Sequence, residues 1–176
     1  MPELTIAFLS GSRFENDSAI RGAVLVTDSQ TKPLEFRVTA PIRPTAFQKT
    51  LYGDILIEHI LVELVTVPLL NTLSKKPDIV VVRDPLFLAA NERQNIPVVR
   101  IFNDGEARFA DTNAEQISCI GGKYEPILVE TSKVLEVKLP EFRKQLSEVF
   151  ANRSLLEPFD RIATALEQVH SQPAGE

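Results

Sequence analysis

The first quarter of the chain predicts three strands. Short runs of apolar or alternating residues occupy positions 4–9, 19–27 and 34–42. In the third run apolar side chains alternate with Glu35 and Arg37, which is typical of a strand with one exposed face. The polar segment 28–33 is short enough to join the last two strands as a hairpin. The chain therefore opens with a predicted antiparallel meander.

A helical pattern follows the third predicted strand. Thr45 is a suitable N-cap for a helix from about Ala46 towards Leu73. Pro68 lies inside this helix, lacks a backbone N–H and crowds the turn before it. We therefore predict a kink near Thr66, or two helices that meet there.

The middle of the chain predicts a buried crossover. Residues 79–82 are four consecutive β-branched side chains, which are typical of a strand that is buried on both faces. A short helix at 86–94 and another apolar strand at 96–102 follow. A strand, a helix and a strand in this order predict two parallel strands at the centre of the sheet.

The rest of the chain predicts added hairpins and two helices. The predicted elements are a tight turn at 103–106 with a return through 107–110, a hairpin of 116–120 and 124–130, and helices from Pro140 and over 158–169. We predict an α/β fold with a mixed sheet. It forms a single domain over 1–176, with a core at about 4–102, a C-terminal extension at about 103–170 and a disordered tail at 171–176.

Composition narrows the functional classes. The 176 residues are 44% hydrophobic, and 19 basic against 24 acidic side chains give a net charge of −5, which disfavours general binding to nucleic acid. The single cysteine excludes an internal disulfide and fits a cytoplasmic setting. The most apolar stretch, 55–70, carries charges and is shorter than the roughly 20 residues that cross a bilayer, so we expect no membrane span.

Two groups of residues have the chemistry of a site. Asp84 follows the buried strand 79–82, at the edge where open α/β sheets bind ligands; alternatively, its carboxylate caps the helix that begins at Pro85. Ser10, Ser12 and Arg13 follow the first strand, where backbone N–H groups and a guanidinium can bind a phosphate; alternatively, they form a plain connection. His59 and Glu63, four residues apart, either share a ligand or form a polar stripe.

The order of these elements resembles that of the ribonuclease H-like superfamily, above all the endonuclease V and NurA-type nucleases, over residues 4–102. The resemblance implies hydrolysis of a phosphodiester by two metal ions, Mg²⁺ or Mn²⁺, held by carboxylates from the first strand, the first helix and the fourth strand. Asp84 matches the fourth-strand position, and Glu58 or Glu63 matches the helix position. The first strand carries Ser10 and Ser12 where the superfamily has an aspartate, and Glu15 or Asp17 would have to fold back to replace it.

Three functions follow from these observations. The first is a cytoplasmic binding or regulatory protein with a degenerate ribonuclease H-like site, acting as a homodimer through the added hairpins. The second is a divalent-metal nuclease in which Asp84 and Glu58 are the catalytic and metal-binding residues. The third is a structural partner protein that acts through an exposed sheet edge.

Overall fold

Seven strands form one mixed sheet in the computed structural model, which describes residues 3–106 and 113–172. Their order across the sheet is β3-β2-β1-β4-β5-β7-β6. The strands are β1 (Ile6–Phe14), β2 (Ala19–Thr27), β3 (Pro33–Val38), β4 (Ile79–Val82), β5 (Val98–Phe102), β6 (Ala114–Ile117) and β7 (Ile127–Thr131).

The strand directions confirm the predicted topology. β1, β2 and β3 pair as an antiparallel meander, while β1, β4 and β5 are parallel neighbours. β7 runs antiparallel beside β5, and β6 pairs with β7 at the edge. All four residues of β4 are buried at the centre of the sheet, as their unbroken β-branched run predicts.

Helices cover both faces of the sheet. They are α1 (Ala46–Tyr52), α2 (Leu56–His59), α3 (Val67–Asn71), α4 (Leu139–Phe150) and α5 (Glu157–Ser171), with a π-helical segment at Ile60–Thr66 and 3-10 turns at Gly53–Ile55, Pro85–Glu92 and Lys133–Lys138. Residues 56–71 and 85–92 pack on one face, whereas α4 and α5 pack on the other. No helix in the described ranges is long and apolar enough to span a membrane.

The helical region after β3 is interrupted, as Pro68 predicts. Thr45 caps α1 with its hydroxyl, and α1 ends at Gly53, whose φ of 55° is left-handed. The π-helical segment runs up to Thr66, whose hydroxyl donates to the Leu61 carbonyl at 2.7 Å, and Pro68 lies in the first turn of α3. The wider turn ends where Pro68 cannot donate a hydrogen bond, so the irregularity is confirmed.

One glycine, Gly22, allows this helical region to lie close to the sheet. Gly11 of β1 is opposite Gly22 of β2. A β-carbon at Gly22 would lie only 2.1 Å from the Cγ1 atom of Val65, and one at Gly11 would lie 3.5 Å from Leu61. A β-carbon would be accommodated at Gly11 but not at Gly22, so the missing side chain of Gly22 makes room for the π-helical segment.

Several predicted boundaries differ from the structure. β1 continues to Phe14 instead of ending at residue 9, because it pairs with β2 along its whole length. β3 ends at Val38; beyond it the Thr39 N–H donates to the Gly22 carbonyl, and Ile42 forms an isolated bridge with Ile20. The predicted return through 107–110 and residues 173–176 of the predicted tail lie outside the described residues.

Candidate functional site

A small crevice lies where β1 extends beyond the end of its neighbour β4. β4 pairs with β1 only as far as Phe8, whereas β1 continues beside β2 to Phe14. A cavity of about 80 Å³ lies at this opening. It is lined by Ser10, Gly11, Ser12, Arg13, Ile20, Ile57, Leu61, Asp84 and Phe87. The structure therefore brings Asp84 together with the predicted Ser10, Ser12 and Arg13 at the carboxyl ends of two parallel strands.

Asp84 begins the 3-10 turn that follows β4. Its Oδ1 atom accepts a hydrogen bond from the Leu86 N–H at 2.9 Å, and Pro85 occupies the first position of the turn. The side chain is exposed, and no described residue donates to Oδ2. One carboxylate oxygen thus caps the turn, and the other faces solvent at the crevice.

The residues at the end of β1 contribute in different ways. Side chains alternate along a strand, and Gly11 faces Leu61 on the crevice side. Ser10, Ser12 and Phe14 therefore point to the opposite face, where Phe14 stacks on His170 of α5 with ring centroids 4.2 Å apart. The Arg13 side chain is exposed, and its guanidinium makes no hydrogen bond or ion pair with a described residue. Arg13 is the guanidinium at this cavity that remains available to a ligand.

Glu58 lies outside this cavity. It lines a separate groove of about 270 Å³, whereas its helix neighbours Ile57 and Leu61 face Asp84. Glu63 lines the same groove as Glu58 and is bound to Arg93 at 2.7 Å. The structure therefore does not bring the two predicted carboxylates, Asp84 and Glu58, together, and their metal-binding and catalytic roles stay predictions.

The carboxylates that follow β1 are also engaged elsewhere. Glu15 binds Arg43 at 2.7 Å and the Nε2 atom of His170 at 3.0 Å. The hydrogen bond from Arg43 holds the pKa of Glu15 below its usual value. Glu15 and Asp17 have left-handed backbones in the β1–β2 turn, and neither lines the cavity.

The donor set at the crevice does not fit a two-metal centre. Hydrolysis by two metal ions requires several carboxylates that bridge or flank the ions. The cavity has one carboxylate, from Asp84. Across residues 3–106 and 113–172, no group of three or more histidine, cysteine, aspartate or glutamate side chains is arranged to hold a metal ion.

A buried ion pair near the strand ends was not predicted. Arg100 of β5 binds Glu130 of β7 at 2.9 Å, and both side chains are almost completely buried. The Arg100 Nε atom also donates to the Arg83 carbonyl, one residue before Asp84. The available signal was a single charge inside each apolar run, at 98–102 and at 127–131.

Glu106 extends this charged cluster towards solvent. It binds Arg83 at 2.7 Å and lies 3.8 Å from Arg100. Partial burial acts to raise the pKa of Glu106, but the Asn103 N–H and the two arginines together hold it below its usual value. The cluster therefore connects the segment after β5 to Arg83, the residue before Asp84.

The sequence matches no family model and no sequence among the curated proteins. Solved structures match its fold. Endonuclease V of Bacillus subtilis is 12% identical, with a TM-score of 0.57 over 94% of this chain and 83% of that one. Endonuclease V of Streptomyces avermitilis is 9% identical, with a TM-score of 0.60 over 95% of this chain and 83% of that one. The chain therefore has a ribonuclease H-like α/β fold, as the order of its elements predicts.

Proposed function

We propose that this protein binds nucleic acid at the crevice between β1 and β4, without two-metal hydrolysis. One observation carries the proposal: the guanidinium of Arg13, which pairs with no described residue, lies at a cavity where Asp84 is the one carboxylate among the described lining residues. Open α/β sheets bind ligands at this edge, and arginine is the side chain best suited to a phosphodiester.

The acidic net charge sets the strength of this interaction. A charge of −5 opposes association with a polyanion, so binding depends on the local guanidinium and is weakened by salt. Asp84 is the one carboxylate among the described residues that line the cavity, so we expect the nucleic acid to be bound without hydrolysis by two metal ions.

The solved structures favour a second function, a divalent-metal nuclease, over a purely regulatory role. The two solved structures with TM-scores of 0.57 and 0.60 carry the name endonuclease V. Mg²⁺ keeps most of its waters and is often held by one or two carboxylates together with substrate phosphates. The free oxygen of Asp84 is consistent with that mode for a single ion.

One experiment separates the two functions. Fluorescence anisotropy with labelled single-stranded and duplex DNA and RNA measures binding in EDTA, Mg²⁺ or Mn²⁺, and a denaturing gel of the same samples measures cleavage. The variants are Arg13→Ala and Asp84→Asn. Lys49→Ala is the matched control, because Lys49 is an exposed cation on α1 outside the cavity.

The proposal predicts that the wild type binds nucleic acid in EDTA and that Arg13→Ala weakens binding to every sequence. In this variant the slope of log affinity against log salt concentration should fall by about one. Lys49→Ala leaves the affinity unchanged. Cleavage that requires Mg²⁺ or Mn²⁺ and is lost in Asp84→Asn would establish the nuclease instead. Failure to bind any of the four nucleic acids would exclude both functions.

A further inference from the structure

The first helix of the protein presents an uncovered apolar face. Phe47 and Leu51 are four residues apart, so they lie on the same side of α1, and Ile55 follows just after the helix. These three side chains are 70%, 65% and 62% exposed, and α1 contributes no buried residue to the core. Contiguous exposed apolar side chains of this kind mark an interaction surface.

This face continues into the groove that contains Glu58. Ile55, Val62 and Ala89 provide apolar lining, and the groove lies between the 56–66 helical region and the 3-10 turn at Pro85–Glu92. Two helical segments with an apolar cleft between them form a surface that can receive a third helix.

The groove is acidic. Glu58 and Glu92 line it and make no hydrogen bond or ion pair with any residue in the described ranges. Its one arginine, Arg93, is bound to Glu63 at 2.7 Å and does not balance them. The charge of the groove therefore favours a cationic ligand.

We propose that α1 and this groove bind a basic amphipathic helix of a partner protein, a function separate from nucleic-acid binding at the crevice. The partner's apolar side chains would cover Phe47, Leu51 and Ile55, while its lysines or arginines would lie opposite Glu58 and Glu92. A second copy of this chain fits less well, because it would bring the same unpaired carboxylates to the interface.

Synthetic helical peptides test the proposal on the full chain. The probe is a fluorescein-labelled peptide with leucine every three or four residues and lysine on the opposite face. Two further peptides isolate its features: one replaces every lysine with glutamate, and the other replaces every leucine with serine. Fluorescence anisotropy measures binding to the wild type and to two double variants, Phe47→Ser with Leu51→Ser and Glu58→Gln with Glu92→Gln.

A third double variant, Ile120→Ser with Val137→Ser, is the matched control. Both residues are apolar and exposed, do not line the groove and are not part of α1. Thermal melting checks that each variant folds, and analytical ultracentrifugation of the wild type alone measures self-association.

We expect the leucine–lysine peptide to bind, and we expect the α1 variant and the groove variant each to weaken its binding about tenfold, which corresponds to about 1.4 kcal/mol. The control variant binds as the wild type does, and neither altered peptide binds. Equal binding to all variants, or equal binding of the glutamate peptide, would overturn the proposal. If the wild type is a dimer and the double variant Phe47→Ser with Leu51→Ser is a monomer, the surface binds a second copy of this chain instead. Nucleic-acid binding is unaffected by these variants, so the two proposals can fail separately.

Discussion

Asp84 combines a structural role with a position at the crevice. Its Oδ1 atom caps the 3-10 turn through the Leu86 N–H, at the point where β4 ends. Asparagine caps a helix about as well as aspartate, whereas alanine does not.

Substitution of Asp84 tests this capping role. Asp84→Ala should lower the free energy of unfolding by about 1 kcal/mol, while Asp84→Asn should leave it nearly unchanged. Urea denaturation at neutral pH measures both. A more stable Asp84→Ala variant would instead indicate that the carboxylate is held under repulsion, as at a ligand site.

The pair of Arg100 and Glu130 is the clearest charge interaction in the interior. The Arg100 guanidinium binds Glu130 at 2.9 Å and lies 4.4 Å from the centre of the Phe102 ring. Arg100→Met leaves the Glu130 charge buried without this partner and should cost about 3–5 kcal/mol of stability.

A double-mutant cycle by urea denaturation checks the reason for that loss. Replacing both residues, with Arg100→Met and Glu130→Met, should cost less than Arg100→Met alone, because no charge then remains buried. Equal losses in the single and double variants would show that packing of Arg100, and not charge pairing, provides the stability.

At the scale of elements, the close approach of a helix to the sheet depends on one glycine. Gly22→Ala places a β-carbon 2.1 Å from Val65 and should destabilise the protein by about 1–3 kcal/mol. Adding Val65→Ala to that variant should recover part of the loss, because it removes the atoms in the way. Gly121→Ala is the control, since no atom lies within 4 Å of its β-carbon position. If urea denaturation shows that adding Val65→Ala restores none of the lost stability, the steric explanation is contradicted.

Glu35 joins the edge strand β3 to the segment after α3. The Ser74 backbone N–H donates to its carboxylate at 3.0 Å and Arg37 binds it at 2.8 Å; these contacts, the first above all, hold the pKa of Glu35 below its usual value of 4.5. A lowered pKa means that the contact stabilises the fold above about pH 4.5 and is lost as the pH falls through the lower folded-state pKa.

Glu35→Gln should therefore lower the urea midpoint at pH 7, and the difference from the wild type should shrink as the pH falls below about 4.5. Glu92→Gln is the control, because Glu92 is exposed and makes no ion pair with a described residue. A difference that is constant from neutral to acidic pH would show that ionisation of Glu35 does not matter.

Local patterns in the sequence predicted most elements but not their exact ends. The β-branched run 79–82 identified the central strand because burial on both faces leaves no polar alternation. The end of β1 was missed because residues 10–14 are polar or alternating and are held in the strand by pairing with β2. The strand propensity of one segment contains no information about a pairing strand that lies elsewhere in the chain.

The candidate site was predicted in part. Asp84 and the part of β1 from Ser10 to Arg13 line one cavity because β1 and β4 are parallel neighbours, which the topology implies. Glu58 failed to join them because helical phase decides which side chain faces the sheet, and Ile57 and Leu61 take that face. The pairing of Arg100 with Glu130 depends on the β5–β7 register, which no local pattern fixes.

At the scale of the whole molecule, the fold separates two surfaces. The crevice at the end of β1 carries Arg13, whereas the other side of the same helical region carries an acidic groove beside an apolar helix face. The crevice suits a phosphodiester, and the groove suits a cationic helix. The net charge of −5 is therefore distributed unevenly, with a cation at the crevice and an excess of carboxylates at the groove.

The most direct test of the central claim is one anisotropy titration of the wild type with a labelled single-stranded DNA of about 20 nucleotides, a length that exceeds usual binding footprints. It is carried out first in EDTA and then in millimolar Mn²⁺, and the DNA is recovered afterwards. The account predicts binding in both conditions, weakened in Mn²⁺ only as far as screening of the phosphates requires, and intact DNA. Cleavage in Mn²⁺, or binding that disappears in EDTA, would contradict it.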